Sequence, residues 1–200
     1  MNIRDGKLIY HLVPLDSLES IIEHGLMSRD DLADINIRFI DTADQEILRE
    51  RERLGLSQYI PFHFHIHTAY DTAVKNVNRD KTFAYICLHR NYAKQNDFKV
   101  LPIHPASNEQ PELYDFDEGF EKIDWSTMEL TIPEAQNAGI DLRYHKQVRM
   151  AECLAFSPIP VSCFQSINVP NEETQEYVLN LLASFNISPK PFVNVRDWFV

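Results

Sequence analysis

Three observations predict an α+β fold. Residues 59–66 (YIPFHFHI) alternate with the period of a strand, Ile60, Phe62, Phe64 and Ile66 on one face, His63 and His65 on the other. Residues 83–88 (FAYICL) form a near-continuous apolar run, as an interior strand does. Residues 171–185 form an amphipathic helix: Asn171 caps it, Glu172 and Glu173 suit its positive end, and Tyr177, Val178, Leu181 and Leu182 supply the apolar stripe. Between these, strands and short helices follow one another without regular βα alternation, the pattern of an α+β domain.

The remaining elements read in chain order. Residues 7–12 are a strand with His11 near its end, broken by Pro14. Residues 15–25 are a helix with Leu15, Leu18, Ile21 and Ile22 on one face and Gly25 as its stop. Residues 26–41 have no clean period and predict a structured loop. Residues 42–54 predict a charged helix in which Arg49, Arg51 and Arg53 alternate with Glu50 and Glu52, so the arginines cannot all face one way. A half-buried strand over 59–66 leads into a short helix from His67 to Val74. Residues 99–103 are a shorter strand. Residues 105–143 are acidic and aromatic without a sustained period, an irregular segment of a length that usually serves function. Residues 161–164 predict a helical turn, and 167–169 and 192–195 two further strands.

One stretch, residues 146–156, holds a chemical anomaly. Past Glu152 it is almost wholly apolar until Pro158 and Pro160. A carboxylate in such a setting needs a partner, a raised pKa or a task. Arg149 is its nearest partner in sequence, so a structural ion pair at a strand end and a catalytic carboxylate both remain open.

Composition bounds the function. The chain has 200 residues and 44% hydrophobic content, enough to bury a core, and its length favours one domain, residues 1–200. No run is long and apolar enough to span a membrane, and the start lacks the apolar core of a signal peptide, so a cytoplasmic protein is expected. Cys87, Cys153 and Cys163 read as reduced core thiols. A net charge of −11 argues against a globally basic nucleic-acid binder, yet phosphate contacts need only a local basic strip. No GxGxxG, P-loop or GxSxG occurs among only five glycines. The row His63, His65, His67 with Asp71 nearby admits a metal-dependent hydrolase, although no HExxH or CxxC accompanies it and histidines on a strand often line a cleft.

Four stretches taken in order are similar to the DarT-type DNA ADP-ribosyltransferase toxins. They are Ile9-Tyr10-His11 with the helix through Leu26; Glu46-Ile47-Leu48-Arg49-Glu50-Arg51; Tyr59-Ile60-Pro61-Phe62-His63-Phe64; and Ile123-Asp124-Trp125 followed by Arg149-Met150-Ala151-Glu152. The helix at 171–185 and the Trp198-Phe199 tail also resemble the family.

The resemblance implies an ADP-ribosyltransferase-like split β-core with flanking helices. It also implies a toxin that uses NAD⁺ as substrate, with no permanently bound cofactor, and transfers ADP-ribose to thymine or guanine in single-stranded DNA. On this likeness Glu152 is the catalytic glutamate and Arg51 the catalytic arginine. His11 meets the nicotinamide end of NAD⁺, Val13 and Ser28 line the same pocket, and Arg51 also contacts NAD⁺. Arg149, Tyr114, His63 and His65 are the implied nucleic-acid contacts, and a macrodomain antitoxin the implied partner. A segment that is Gly-Gly-rich in many members is shortened here to 52–58 with Gly55 alone, which leaves Arg49, Arg51 and Arg53 as alternatives; the register of Glu46-Ile47-Leu48 selects Arg51. Transfer to RNA or protein, and a non-catalytic module that only binds NAD⁺, are the other readings.

Overall fold

The structure is a computed structural model and describes residues 2–35, 45–104 and 110–199. Its centre is an eight-stranded sheet in the order β5-β4-β6-β2-β1-β3-β7-β8. The strands are β1 (Leu8–Pro14), β2 (Ile60–His63), β3 (Phe83–His89), β4 (Lys99–Leu101), β5 (Tyr114–Asp115), β6 (Glu152–Ala155), β7 (Ser166–Val169) and β8 (Phe192–Val195). Every pairing is antiparallel except β7 with β8. The two halves meet at β1 and β2 through one residue pair, Tyr10↔His63, whereas β1 and β3 pair over seven positions from Leu8↔His89 to Pro14↔Phe83. That narrow join is the split in the β-core. Past it, β1 and β2 diverge and open a cleft.

Local chemistry starts and stops the helices. In α1 (Leu18–His24) the chain ends on Gly25, whose φ of 87° favours a residue without Cβ. Reciprocal capping boxes open α2 (Arg29–Asp34) through Ser28 and Asp31, and α4 (Ala69–Val77) through Thr68 and Asp71. Between them lies α3 (Gln45–Arg53), the charged helix; its expected first residues, 42–44, lie outside the described residues. The expected loop over 26–41 contains α2, a helix too short to show a period.

The expected irregular segment is the largest correction. Among its described residues it folds into β5 and four short helices: α6 (Phe116–Lys122), α7 (Trp125–Met128), α8 (Ile132–Asn137) and the start of α9 (Leu142–Arg149). None exceeds eight residues, so no apolar period accumulates. Asp124, Thr131 and Asp141 cap α7, α8 and α9 through their side chains. Gly119 lets α6 lie directly on β4, for a Cβ there would stand 2.5 Å from Val100 Cβ. After α5 (Arg90–Gln95), the C-terminal α10 (Glu172–Ser184) follows its expectation, with Asn171 accepting from the Thr174 N–H.

The sheet buries both faces near its middle. One face carries the main core, with Ile9, Phe62, Ile86 and Cys153 fully buried. The other carries a smaller cluster of Leu54, Leu56, Leu101 and Leu154. The 59–66 strand is therefore shorter and less half-buried than its alternation suggests. It ends at His63, and His63 and His65 are each only 7% exposed. Buried Arg90 ties the N-terminal segment to this region. Its guanidinium donates to the carbonyls of Ile3, Arg4 and Phe64 and lies over the rings of Phe64, Phe120 and Trp125.

Candidate active site

The sheet register assembles the site. Glu152 opens β6 and pairs with His63 of β2, which in turn pairs with Tyr10 of β1. Directly paired residues project to the same face, so Glu152 and His63 are neighbours. Leu101 and Leu154 share that face and receive Leu54 and Leu56 from the end of α3. Arg51 precedes Leu54 by three residues, on the same side of the helix. Burying the leucines thus carries the guanidinium to Glu152.

There Arg51 Nη1 donates to Glu152 Oε1 at 2.9 Å and Oε2 at 3.0 Å, and Nη2 donates to the Leu56 carbonyl at 3.3 Å. Both residues are buried, at 8% and 3% exposure. Burial raises the Glu152 pKa, but the charges of Arg51, His63 and His104 outweigh it and hold the carboxyl below its usual range. Arg51 Nε is buried without a hydrogen-bond partner among the described residues. Arg49 is exposed, and Arg53 is spent on Glu50 at the surface. Arg149, the nearest cation in sequence, does not pair with Glu152. Its guanidinium donates to the carbonyls of Met128 and Leu130 at 2.8 and 3.1 Å, joining α9 to α7.

A cavity of about 360 Å³ opens where β1 and β2 diverge. His11, Val13 and Ser28 all line it, and His63 lies on its border, linking it to Glu152. The His11 Nδ1 lies 2.6 Å from the Pro61 carbonyl, which can only accept, so Nδ1 carries the proton and Nε2 is left as an acceptor. Burial, opposed by that hydrogen bond, lowers the His11 pKa to about 4 and keeps the ring neutral near pH 7. Ser28 is committed to its capping box with Asp31. Arg29 and Tyr70, which were not singled out in the sequence, also line the cavity, as does Asp71, read there only as a companion of the histidine row. Their signals were local: Arg29 follows the cap Ser28, and Tyr70 and Asp71 lie in the first turn opened by Thr68.

Comparison with known proteins now decides the family. The model of the DarT family, ssDNA thymidine ADP-ribosyltransferase, matches residues 10–200. The chain belongs to the DarT family. DarT proteins are NAD⁺-dependent ADP-ribosyltransferases of single-stranded DNA, and this chain is one of them. Thermus sp. 2.9 DarT in complex with ADP-ribosylated ssDNA superposes with a TM-score of 0.78 at 17% identity, over 97% of this chain and 96% of that one. The same DarT in complex with NAD⁺ gives 0.73 at 16% identity, over 98% of each chain. Thermosipho africanus DarTG in complex with ADP-ribose gives 0.67 at 18% identity, over 97% of this chain and 51% of that one. At these identities the likeness shows the fold. No match was found among curated proteins.

Within this DarT-family fold the four residues expected to meet nucleic acid separate. His63 stands beside Glu152, its Nδ1 3.2 Å from the Ala151 carbonyl. His65 lies inside, with its ring nitrogens 2.7 and 2.8 Å from the Ile66 and Arg149 carbonyls. Tyr114 sits on edge strand β5, two strands from β6, with Lys122 Nζ 4.5 Å from its ring centroid. The row His63, His65, His67 does not converge, because the strand ends at His63 and the backbone turns through φ 60° at His67. No three metal-ligating side chains gather among the described residues, so the metal-hydrolase reading has no site there.

Two histidines with lowered pKa values, His11 and His65, set a pH dependence. Burial lowers His65 to about 4, with Arg149 contributing, as it lowers His11. Unfolded, each would titrate near ~6.5. Between those values the unfolded chain binds more protons, so stability rises with pH and is lost as pH falls through that window. Urea denaturation from about pH 7 to about pH 4.5 should show a falling midpoint, with a slope made shallower by His65→Asn. An unchanged slope in that variant would remove His65 from the account.

Proposed function

We propose that Glu152 and Arg51 catalyse transfer of ADP-ribose from NAD⁺ to thymidine in single-stranded DNA, with the 360 Å³ cavity holding the nicotinamide end of NAD⁺. The observation that carries this reading is the buried Arg51–Glu152 pair set beside a cavity lined by His11, Val13 and Ser28. The bond between nicotinamide and ribose C1′ breaks, and nicotinamide leaves with the electron pair. Positive charge then grows on the ribose. The Glu152 carboxylate, kept ionised by Arg51, stabilises that charge and accepts hydrogen bonds from the ribose hydroxyls.

The acceptor is the imide nitrogen of thymine, the only ring N–H left in the nucleotide. It forms the new bond to C1′ and gives up its proton. Arg51 is a poor base, since a guanidinium holds its proton above about pH 12. Its role is to stabilise negative charge on the base. His11 Nε2 accepts from the carboxamide N–H of nicotinamide. Arg29, at the cavity wall, faces the phosphates of NAD⁺.

The Thermosipho africanus DarTG likeness supports a toxin role, with a macrodomain antitoxin that removes ADP-ribose as partner. No helix among the described residues is long and apolar enough to cross a membrane, and DNA as substrate supports action in the cytoplasm. The test is incubation with labelled NAD⁺ and single-stranded oligonucleotides with or without thymidine, alongside RNA and protein. Label should enter thymidine-containing DNA alone. Label confined to guanine-only DNA, RNA or protein would overturn the acceptor assignment.

A further inference from the structure

A second recess lies further along α4 than the NAD⁺ cavity, toward the C-terminal end of the helix. Tyr70 and Asp71, in the first turn of α4, line the cavity; Thr72, Lys75 and Asn76 line the recess. Lys75 is four residues past Asp71, roughly one helical turn of 5.4 Å. The recess has a volume of about 470 Å³, and Arg79, Lys81, His67 and Phe199 complete the features that matter. No carboxylate lines it among the described residues. In a chain with 30 acidic and 19 basic residues, a hollow with three cations and no acid is a local reversal of charge.

The cations are not spent on one another's counter-ions. Lys75 Nζ is 3.4 Å from the Trp198 carbonyl and 5.7 Å from the Phe199 ring centroid, contacts that fix it without neutralising it. None of Lys75, Arg79 and Lys81 forms an ion pair among the described residues. Asp71 and Asp197 act on His67 through space, and exposed Asp80 adjoins the patch in sequence; none of the three lines it. Burial lowers the Lys75 pKa, with Asp71 opposing, so an anion here would relieve a partly desolvated charge.

We propose that this recess binds the phosphodiester backbone of the single-stranded DNA substrate beside the nucleotide being modified. The inference rests on the DNA-transfer reading above. Arg79 and Lys81 contact phosphates, Lys75 supplies charge from the floor, and Phe199 offers a ring to an adjacent base. An acidic protein thereby holds DNA through one local strip and repels it elsewhere, which sets the path of the strand.

The experiment compares wild type with Arg79→Glu/Lys81→Glu, substitutions of side chains that carry no packing of the core. Affinity for a long thymidine-containing oligonucleotide is measured without NAD⁺ across a salt series. Transfer to that oligonucleotide and to a thymidine trinucleotide is measured with NAD⁺. The variant should bind the long strand about 10-fold or more weakly, with a salt slope shallower by about 1 for each lost phosphate contact. Its kcat/KM for the trinucleotide and its thermal midpoint should match wild type. Unchanged affinity and slope, or equal losses on long and short DNA, would overturn the recess. Inorganic phosphate competing equally against both lengths would instead mark a free-anion site and overturn it too. Failure of the wild type to modify any DNA would sink the functional reading itself.

Discussion

Glu152→Gln is expected to lower ADP-ribose transfer by about 10²–10³ while the protein still folds and still binds NAD⁺. The amide keeps the volume of the side chain and one oxygen that can accept from Arg51 Nη1, but it loses the charge that opposes a cationic ribose. Glu152→Ala carries a further cost that the sequence did not reveal. It strands the Arg51 guanidinium in a buried site, and breaking a buried pair from one side costs about 3–5 kcal/mol. Both variants remove the charge that balances Arg51, so both are expected to lose some stability, the alanine variant more because it also removes the hydrogen-bond acceptor. Turnover, NAD⁺ affinity and thermal midpoint, measured together on both variants, separate the two effects. Wild-type turnover in Glu152→Gln would end its catalytic assignment. In cells, wild type should arrest growth and Glu152→Gln should not.

Arg51→Ala should lose about 10²–10³ in DNA modification, with NAD⁺ affinity affected far less. Arg49→Ala and Arg53→Ala should stay near wild type. They stand about 200° around α3 from Arg51, two residues at about 100° each, and Arg53 is occupied by Glu50 at the surface. Arg51→Lys is the informative companion. It keeps a charge near Glu152 and so limits the damage to folding, but it cannot reproduce the planar fork that reaches both Glu152 and the Leu56 carbonyl. Transfer should therefore remain well below wild type in Arg51→Lys even where its stability recovers. If all three alanine variants transfer at wild-type rates, the stabilisation of the base by a guanidinium is wrong.

What the sequence by itself determined are the features that short-range physics writes locally. Strand and helix periods placed β3, β7, β8 and α10, because each is long enough, or apolar enough, to show its pattern in a few residues. Gly25 and Asn171 marked helix ends because a positive φ favours a residue without a Cβ and an N-cap needs a side-chain acceptor. The isolation of Glu152 in an apolar run was legible as a carboxylate needing a partner, and the order of short motifs pointed to the family.

The tertiary structure alone decided which partner. Arg149 was nearest in sequence, yet it serves carbonyls of α7 and the turn after it, while Arg51 arrives from 101 residues away. The reason is that burial of Leu54 and Leu56 against Leu101 and Leu154 docks α3 on the Glu152 face, and sequence distance does not enter that packing. The histidine row failed as a metal motif for a similar reason. Alternation assumes that the strand continues, and here backbone pairing stops at His63, so His65 turns inward and His67 outward. The cleft itself depends on β1 and β2 pairing at one position before they part, a property of two strands fifty residues apart that neither one encodes alone.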